Sequence, residues 1–378
     1  IYQEQGRLDE AAEQYHTAIN QGSRDAVLLN NLASVLLQRG RAQDATALCE
    51  RACQLRPTCP ACYNNWANAL LACGELEAAV DKYRQATFIL GESTPAFLLN
   101  NLAEVLKARG DLPGARDTFL MAIAADANDP VAYSNLACIY MELDQFDLAL
   151  PKLEQCVTLS PNFAVGHHNL GNWHLEQGNT EDAVASYQNA VSLGLRQLDT
   201  HLNLGLALEQ MGNPVLAVQQ YRAALDVEPD CVEAQTYLAD ALIAAHQIAD
   251  AVQISTGTLA QSPCILSLCT RGKVAKADMD LLGALRWFQQ ALELDPSHFT
   301  VVCCVADALY DVEEYEMALQ FYQRARDLPG GDDCAELQIN LGNAHHMCGA
   351  SHDEEMMECY DCAVELDNDF SPAYTSIG

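Results

Sequence analysis

Glycines recur at a fixed spacing along this chain, each directly after an apolar stretch rich in Ala and Leu. The intervals are 34 residues or twice that, except for one of 36, in the series Gly6, Gly40, Gly74, Gly110, Gly178 and Gly212. A period of roughly 20 to 50 residues is typical of a repeat array, in which each repeat contacts mainly its neighbours. The spacing therefore predicts a stacked array rather than a globular domain.

Laid on this period, the sequence contains ten complete repeats. They span 26–59, 60–95, 96–129, 130–163, 164–197, 198–231, 232–264, 265–298, 299–334 and 335–370. Residues 1–25 form a partial repeat and 371–378 begin a further one, which predicts a portion of a longer protein. Repeats 1–6 (26–231) share the most features, repeats 7–9 (232–334) are divergent, and repeat 10 carries an insertion near 350–357.

Small residues occupy fixed positions of the repeat. Residue 8 is Ala or Gly in all ten repeats, from Ala33 to Gly342, and residue 20 is Ala in nine, from Ala45 to Ala318. Small side chains let two helices approach closely, and a glycine commonly follows the last turn of a helix. Each repeat is therefore predicted to be a pair of helices, called here helix A and helix B.

This pattern resembles the tetratricopeptide repeat, which is recognised by small residues at positions 8, 20 and 27 and by Pro at position 32. Pro occupies position 32 in five repeats, at Pro57, Pro161, Pro229, Pro263 and Pro296. The resemblance covers essentially the whole chain. It implies an all-α fold, a right-handed α-α superhelix (solenoid) whose A helices line a concave groove.

Asparagine recurs at position 6 of consecutive A helices, although it is about 0.5 kcal/mol less favourable there than Ala. The series is Asn31, Asn65, Asn101, Asn135, Asn169 and Asn203, with Asn340 in repeat 10, and position 9 adds Asn68 and Asn172. A turn of about 100° per residue places positions 2, 6, 9 and 13 on one stripe, away from the packing face. Asn30, at position 5, recurs only as Asn64 and Asn100 and is assigned no role.

A carboxamide can donate to and accept from a peptide backbone at the same time. These nine asparagines therefore predict a scaffold that binds an extended peptide or protein segment along its groove. The row resembles those in the repeat arms of O-linked N-acetylglucosamine transferases. That resemblance implies an alternative, a substrate-selecting arm whose catalytic domain lies beyond residue 378.

Two other interpretations remain open at this point. The asparagines can instead be solvated or bond to the neighbouring repeat and set the twist of the array. The chain can also be a structural subunit of a large assembly, such as a ciliary transport or cell-cycle complex, because one repeat fold serves many functions.

The charge of the chain restricts its partners. Lys and Arg number 20 against 52 Asp and Glu, a net charge of −32. Nucleic-acid binding needs a cationic face, so this class is excluded and neutral or basic protein partners are favoured. A clamp for the carboxylates of a chaperone tail needs clustered cations, and the groove stripe offers mainly Lys107, Lys273 and Lys276. No run of 18 apolar residues is present that could span a bilayer.

The cysteines and histidines do not predict a cofactor, a metal or an enzyme. The 16 cysteines follow helix positions, which predicts reduced thiols in the cytoplasm or nucleus. The pairs Cys59–Cys62 and Cys359–Cys362 have redox or half-zinc-site spacing, but a thioredoxin-like site also needs a β-α-β context. Histidines in "GHHNLGNWH" (166–174) and "HHMC" (345–348) diverge on a helix.

Overall fold

The computed structural model describes residues 7–20, 25–331, 333–349 and 353–366. In these ranges the chain forms 21 α-helices and one short 3-10 helix, Gly91–Ser93, with no strand, which confirms the all-α prediction. The predicted start of a further repeat at 371–378 lies outside the described residues. The chain divides into two compact units, an N-terminal unit, Ile1–Leu195, and a C-terminal unit, Arg196–Gly378.

The N-terminal unit contains one leading helix and five A–B pairs. Its helices are α1 Leu8–Asn20, α2 Ala26–Gln38, α3 Ala42–Leu55, α4 Pro60–Ala72, α5 Leu76–Leu90, α6 Ala96–Ala108, α7 Leu112–Ala125, α8 Pro130–Glu142, α9 Phe146–Leu159, α10 Ala164–Glu176 and α11 Thr180–Ser192. The even-numbered helices are the A helices of repeats 1 to 5.

The C-terminal unit contains five further A–B pairs. Its helices are α12 Leu198–Gln210, α13 Pro214–Val227, α14 Val232–Ala244, α15 Ile248–Gln261, α16 Ile265–Ala277, α17 Leu281–Leu294, α18 Phe299–Asp311, α19 Tyr315–Arg326, α20 Ala335–Cys348 and α21 Asp353–Leu366. The A helices of repeats 6 to 10 are again the even-numbered ones.

The small residues at position 8 of the repeat make room for a large side chain at position 24, which lies on helix B. A Cβ atom on Gly171 would lie 2.7 Å from the ring of Tyr187, and one on Gly205 would lie 2.4 Å from the ring of Tyr221. Both tyrosines are fully buried. Because van der Waals contact fills this space, each A–B pair is locked at a close approach that a larger residue would prevent.

The turn between helix A and helix B adopts the left-handed backbone conformation. The glycines predicted to end helix A have φ between +72° and +85°, at Gly40, Gly74, Gly110, Gly178 and Gly212. Four repeats reach the same conformation without glycine, at Asp144, His246, Met279 and Glu313, with φ of 56°, 59°, 65° and 67°. The divergent repeats therefore keep the turn of the others although their sequences lack its residue.

Candidate functional site

The stripe of positions 2, 6, 9 and 13 on the A helices carries the predicted binding residues. In the N-terminal unit, position 6 forms what is called here the amide row: Asn31, Asn65, Asn101, Asn135 and Asn169. Asn169 is buried at 8% exposure, whereas the other four are half-buried. In the C-terminal unit, Asn203 and Asn340 hold the same position and are half-buried.

Two members of the amide row bond to position 5 of the preceding A helix. Asn65 Nδ2 donates to Asn30 Oδ1 at 3.0 Å, and Asn169 Nδ2 donates to Ser134 Oγ at 2.8 Å. Each bond joins residues 35 apart in sequence, and therefore joins consecutive repeats. The interpretation that these asparagines link neighbouring repeats is thus correct for both residues.

Two other position-6 asparagines bond to position 9 of the preceding A helix. Asn135 Nδ2 donates to Glu104 Oε1, and in the C-terminal unit Asn340 Nδ2 lies 3.4 Å from Asp307 Oδ1. An amide that donates one N–H in this way keeps a second N–H and its oxygen. The side chains of Asn31 and Asn101 form no hydrogen bond to any residue that the structure describes.

The asparagines at position 9 are tied to helix B of their own repeat. Tyr83 donates its hydroxyl to Asn68 Oδ1, and Tyr187 donates to Asn172 Oδ1 at 2.7 Å. Asn172 Nδ2 also lies 3.2 Å from Nε2 of His168, a ring that is itself buried. The predicted binding oxygens of Asn68 and Asn172 are therefore already engaged in pairing helix A with helix B.

The asparagines at position 5, to which the sequence assigned no role, are structural. Asn30 is buried and accepts the bond from Asn65, and Asn100 is buried and donates to Asp129 Oδ2 at 2.6 Å. Asp129 lies at the N-terminus of α8, where its Oδ1 also accepts from Val131 N at 3.0 Å. The sequence carries a signal for these hydrogen bonds between repeats, because polar residues recur together at positions 5, 6 and 9 of the A helices.

The three lysines of the groove stripe are all paired with carboxylates of an adjacent repeat. The pairs, with their N–O distances, are Lys107–Glu142 at 2.7 Å, Lys273–Asp240 at 2.8 Å and Lys276–Asp311 at 2.6 Å. Burial alone would lower the pKa of Lys107, but the hydrogen bond that its ammonium donates to Glu142 raises the pKa above its usual value. These cations link repeats and are not clustered to receive the carboxylates of a partner.

In two repeats of the C-terminal unit the helix B tyrosine donates to a carboxylate of helix A, at position 9 in repeat 9 and at position 12 in repeat 6. Asp307 accepts from the hydroxyl of Tyr322 at 2.6 Å, and Glu209 accepts from Tyr221 at 2.6 Å. Burial raises the pKa of both carboxyls, and the tyrosine hydrogen bonds oppose that rise. Burial, with the adjoining carboxylate, also raises the pKa of each tyrosine, so the hydroxyl stays a donor.

Among the residues that the structure describes, no group of three or more His, Cys, Asp and Glu side chains is arranged to hold a metal ion. His167 Nε2 lies 2.9 Å from the carbonyl oxygen of Pro161. Among the described helices, none combines the length and the apolar character that crossing a membrane requires.

Protein-family models described as tetratricopeptide repeat match the chain in several places. One model matches residues 1–60, 168–226 and 202–263, a second matches 130–163, and a third matches 96–120. Together these matches cover more than half of the chain.

The chain is also similar to a curated plant protein and to several solved structures. It is 25% identical over 197 residues to Hsp70-Hsp90 organizing protein 1 of Glycine max, an alignment over 42% of this chain and 34% of that protein. The chain thus spans about a third of that relative's length. The solved structures include YrrB, titled a TPR protein with an unusual peptide-binding site (23% identity, 49% of this chain, 95% of that chain, TM-score 0.38), and PilF of Pseudomonas aeruginosa (19%, 62%, 99%, 0.49).

Proposed function

The chain belongs to the tetratricopeptide repeat family. We propose that it is a scaffold for protein interaction and that its N-terminal unit holds an extended segment of a partner along the amide row. The observation that supports the proposal most strongly is that asparagine recurs at the same position of successive A helices and that most of these asparagines are held there by hydrogen bonds. Position 6 is asparagine in five consecutive A helices, and bonds to the preceding helix fix Asn65, Asn135 and Asn169 in place.

Fixed amides favour binding because the partner does not have to order them. Asn135 is held by one N–H to Glu104 and keeps the other N–H and its oxygen, the pair of groups that a peptide unit can bond. Asn31 and Asn101 are not fixed by such a bond, but they keep their full bonding capacity toward a partner. Affinity rises when side chains are ordered before binding, since each ordered side chain otherwise costs about 0.5 to 1.5 kcal/mol.

The spacing of the row suits an extended chain. Neighbouring helices pack about 8 to 10 Å apart, and an extended chain rises about 3.3 Å per residue. A bound segment would therefore meet one asparagine at about every third residue, while its other residues face away from the row. Exposed apolar side chains at position 2, Val27 (44%), Phe97 (59%) and Val131 (39%), border the row and would contact some of the segment's side chains.

The charge of the protein supports a neutral or basic partner. The net charge is −32, and the groove lysine of the N-terminal unit, Lys107, is already paired with Glu142 at 2.7 Å. A cationic segment would be drawn to the scaffold at low salt, and its association rate would fall as salt is added.

A peptide selection tests the proposal without a known partner. Random 16-residue peptides displayed on phage would be selected on the full chain, and the enriched peptides measured by fluorescence anisotropy. The triple variant Asn31→Ala/Asn101→Ala/Asn135→Ala should lose about 1 kcal/mol of binding free energy at each site. Its affinity should therefore fall roughly hundredfold. N-methylation of the peptide backbone weakens binding more than alanine scanning of its side chains.

The matched control is Asn189→Ala, an exposed asparagine on helix B of repeat 5, which should leave the affinity unchanged. Circular dichroism of both variants establishes that the helices are intact. Equal affinity of the triple variant and the unchanged chain, or failure to enrich any peptide, would show that the amide row does not bind backbone.

The proposal assigns the chain no chemistry of its own and a reducing compartment, the cytoplasm or nucleus. All 16 cysteines fall in the described residues and all are free thiols, which is usual where thiols are kept reduced. Fractionation of cells expressing a tagged chain tests the compartment. A transcript that encodes a nucleotide-sugar-binding domain after residue 378 would favour the alternative of a glycosyltransferase arm.

A further inference from the structure

Cysteine occupies the N-cap position of four A helices. These residues are Cys59 before α4, Cys231 before α14, Cys264 before α16 and Cys334 before α20. Three residues later, the helices carry Cys62, Ala234, Ser267 and Leu337, respectively. Of these four N-caps, Cys59 is therefore the one followed by a second thiol in the first helical turn.

The two cysteines of this pair are joined through a backbone hydrogen bond and differ in exposure. Cys59 Sγ accepts a hydrogen bond from Cys62 N at 3.3 Å, which places the Cys59 side chain over the first turn of α4. Cys59 is half-exposed, whereas Cys62 is 0% exposed, under α4. An accessible thiol at a helix N-terminus beside a second thiol is a recurring arrangement of reactive cysteines.

The N-cap position allows a disulfide that the helix interior would resist. Residues three apart on a helix have Cα atoms about 5 Å apart, within the disulfide range of about 4.4 to 6.8 Å. Their Cβ atoms, however, are about 5 to 6 Å apart in a helix interior, against about 3.8 Å in a disulfide. Cys59 has non-helical dihedrals, φ −100° and ψ 97°, so its side chain can turn over the helix end toward Cys62.

We propose that Cys59 and Cys62 form a reversible disulfide when the protein meets a peroxide, which makes the start of α4 a redox-modification site. The Cys59 thiolate attacks the peroxide, forming a sulfenic acid and releasing water or an alcohol. The Cys62 sulfur then attacks the Cys59 sulfur, an S–S bond forms, and the Cys62 proton leaves with the hydroxide as water. The two thiols lose two electrons and two protons, the peroxide is reduced, and a small thiol such as glutathione reverses the reaction by exchange.

The site is separate from the proposed binding of a partner, although α4 also carries Asn65. A bridge between the N-cap and the third helical residue would fix the first turn of α4. Its formation can be tested whether or not the amide row binds peptides.

The chain supplies a matched control with the same spacing. Cys359 and Cys362 also pair a buried thiol with a half-buried one, and both line a cavity of about 560 Å³, so oxidants can reach them. Both residues lie inside α21, Asp353–Leu366, where helical geometry keeps the Cβ atoms apart. Burial raises the pKa of both buried thiols, that of Cys359 to about 11.

The experiment treats the full, reduced chain with graded hydrogen peroxide. Free thiols are then blocked with N-ethylmaleimide and the digest is mapped by mass spectrometry. The Cys59–Cys62 disulfide should form about tenfold or more faster than any Cys359–Cys362 disulfide, because Cys59 Sγ already lies against the backbone N–H of Cys62, and dithiothreitol should reverse it. Equal rates for the two pairs, or a bridge from Cys59 to Cys53 instead, would overturn the proposal.

A variant identifies the thiol that reacts first. In Cys62→Ala the sulfenic acid should persist on Cys59 and be trapped by dimedone, as is expected for Cys231, which has Ala234 in place of the second thiol. Trapping on Cys53 but not on Cys59 would contradict the proposed order. The comparison of the two disulfides uses the unchanged chain, so it does not depend on the folding of the variant.

Discussion

The hydroxyl of Tyr187 donates to Asn172 Oδ1 at 2.7 Å, and this bond pins helix B of repeat 5 to helix A of the same repeat. The ring of Tyr187 also fills the space that a Cβ on Gly171 would occupy, at 2.7 Å. One side chain at position 24 therefore sets both the spacing of the two helices and their hydrogen-bond register. The same bond recurs in repeat 10, where Tyr360 donates to Asn343 Oδ1 at 2.8 Å.

Tyr187→Phe should lower the free energy of unfolding by about 1 kcal/mol, because the ring stays while the Asn172 oxygen loses its donor. Urea unfolding followed by circular dichroism measures the loss, and hydrogen exchange locates it in α10 and α11. The double variant with Asn172→Ala should cost less than the sum of the single variants. Strict additivity would mean that this bond contributes no stability.

Asp307 lies at position 9 of repeat 9, where repeats 2, 5 and 10 carry an asparagine that accepts the tyrosine hydroxyl of helix B. Burial raises the pKa of Asp307, Asp311 and Glu336 add to the rise, and Tyr322 and Lys276 oppose it. A carboxyl with a raised pKa in the folded state contributes stability that is fully present below its unfolded pKa and is lost as pH rises through the folded value. At neutral pH the charged Asp307 therefore costs stability.

Asp307→Asn should raise the free energy of unfolding at pH 7 by up to about 1 kcal/mol, since it removes a buried charge and keeps an acceptor for Tyr322. This gain in the free energy of unfolding should shrink when the pH falls below 3.8, the ordinary pKa of Asp, because the carboxyl of the unchanged chain is then protonated. Thermal unfolding between about pH 3.5 and pH 7, a range that includes the ordinary pKa of a carboxyl group, would measure both effects. Asp311→Asn, which removes the partner of Lys276, should not give this gain, and a pH-independent gain would contradict the interpretation.

The helices and their pairing could be predicted because their signals are local and repeat. Small residues such as Gly171 and turn glycines such as Gly212 mark the period directly. The bond from Asn65 to Asn30 could not be predicted from the sequence, since it depends on side-chain rotamers and on the distance between two A helices. The acceptor of Tyr221 could not be predicted either. Tyr221 bonds to Glu209 at position 12 because position 9 of that repeat is Leu206.

Two glycines inside helices should respond to alanine in opposite directions. A Cβ on Gly205 would lie 2.4 Å from the Tyr221 ring, whereas one on Gly257 would meet nothing within 4 Å. Gly205→Ala should therefore cost about 1 to 3 kcal/mol, and Gly257→Ala should add about 0.5 to 1 kcal/mol through helix propensity. The shift of the urea midpoint gives both signs. Tolerance of alanine at Gly205 would mean that the helix pair is not closely packed there.

Four turns use a residue other than glycine in the left-handed conformation, a conformation that costs about 1 to 2 kcal/mol for side chains with a Cβ. Met279 has φ 65° and is 79% exposed, so replacing it removes strain and little packing. Met279→Gly should raise the free energy of unfolding by about 0.5 kcal/mol, after the greater flexibility of glycine in the unfolded chain is subtracted. The equivalent turn in repeat 6 serves as the control, since Gly212→Ala, at φ 72°, should lower it by about 1 kcal/mol. Urea midpoints compare the two, and a lower midpoint for Met279→Gly would show that the turn is not strained.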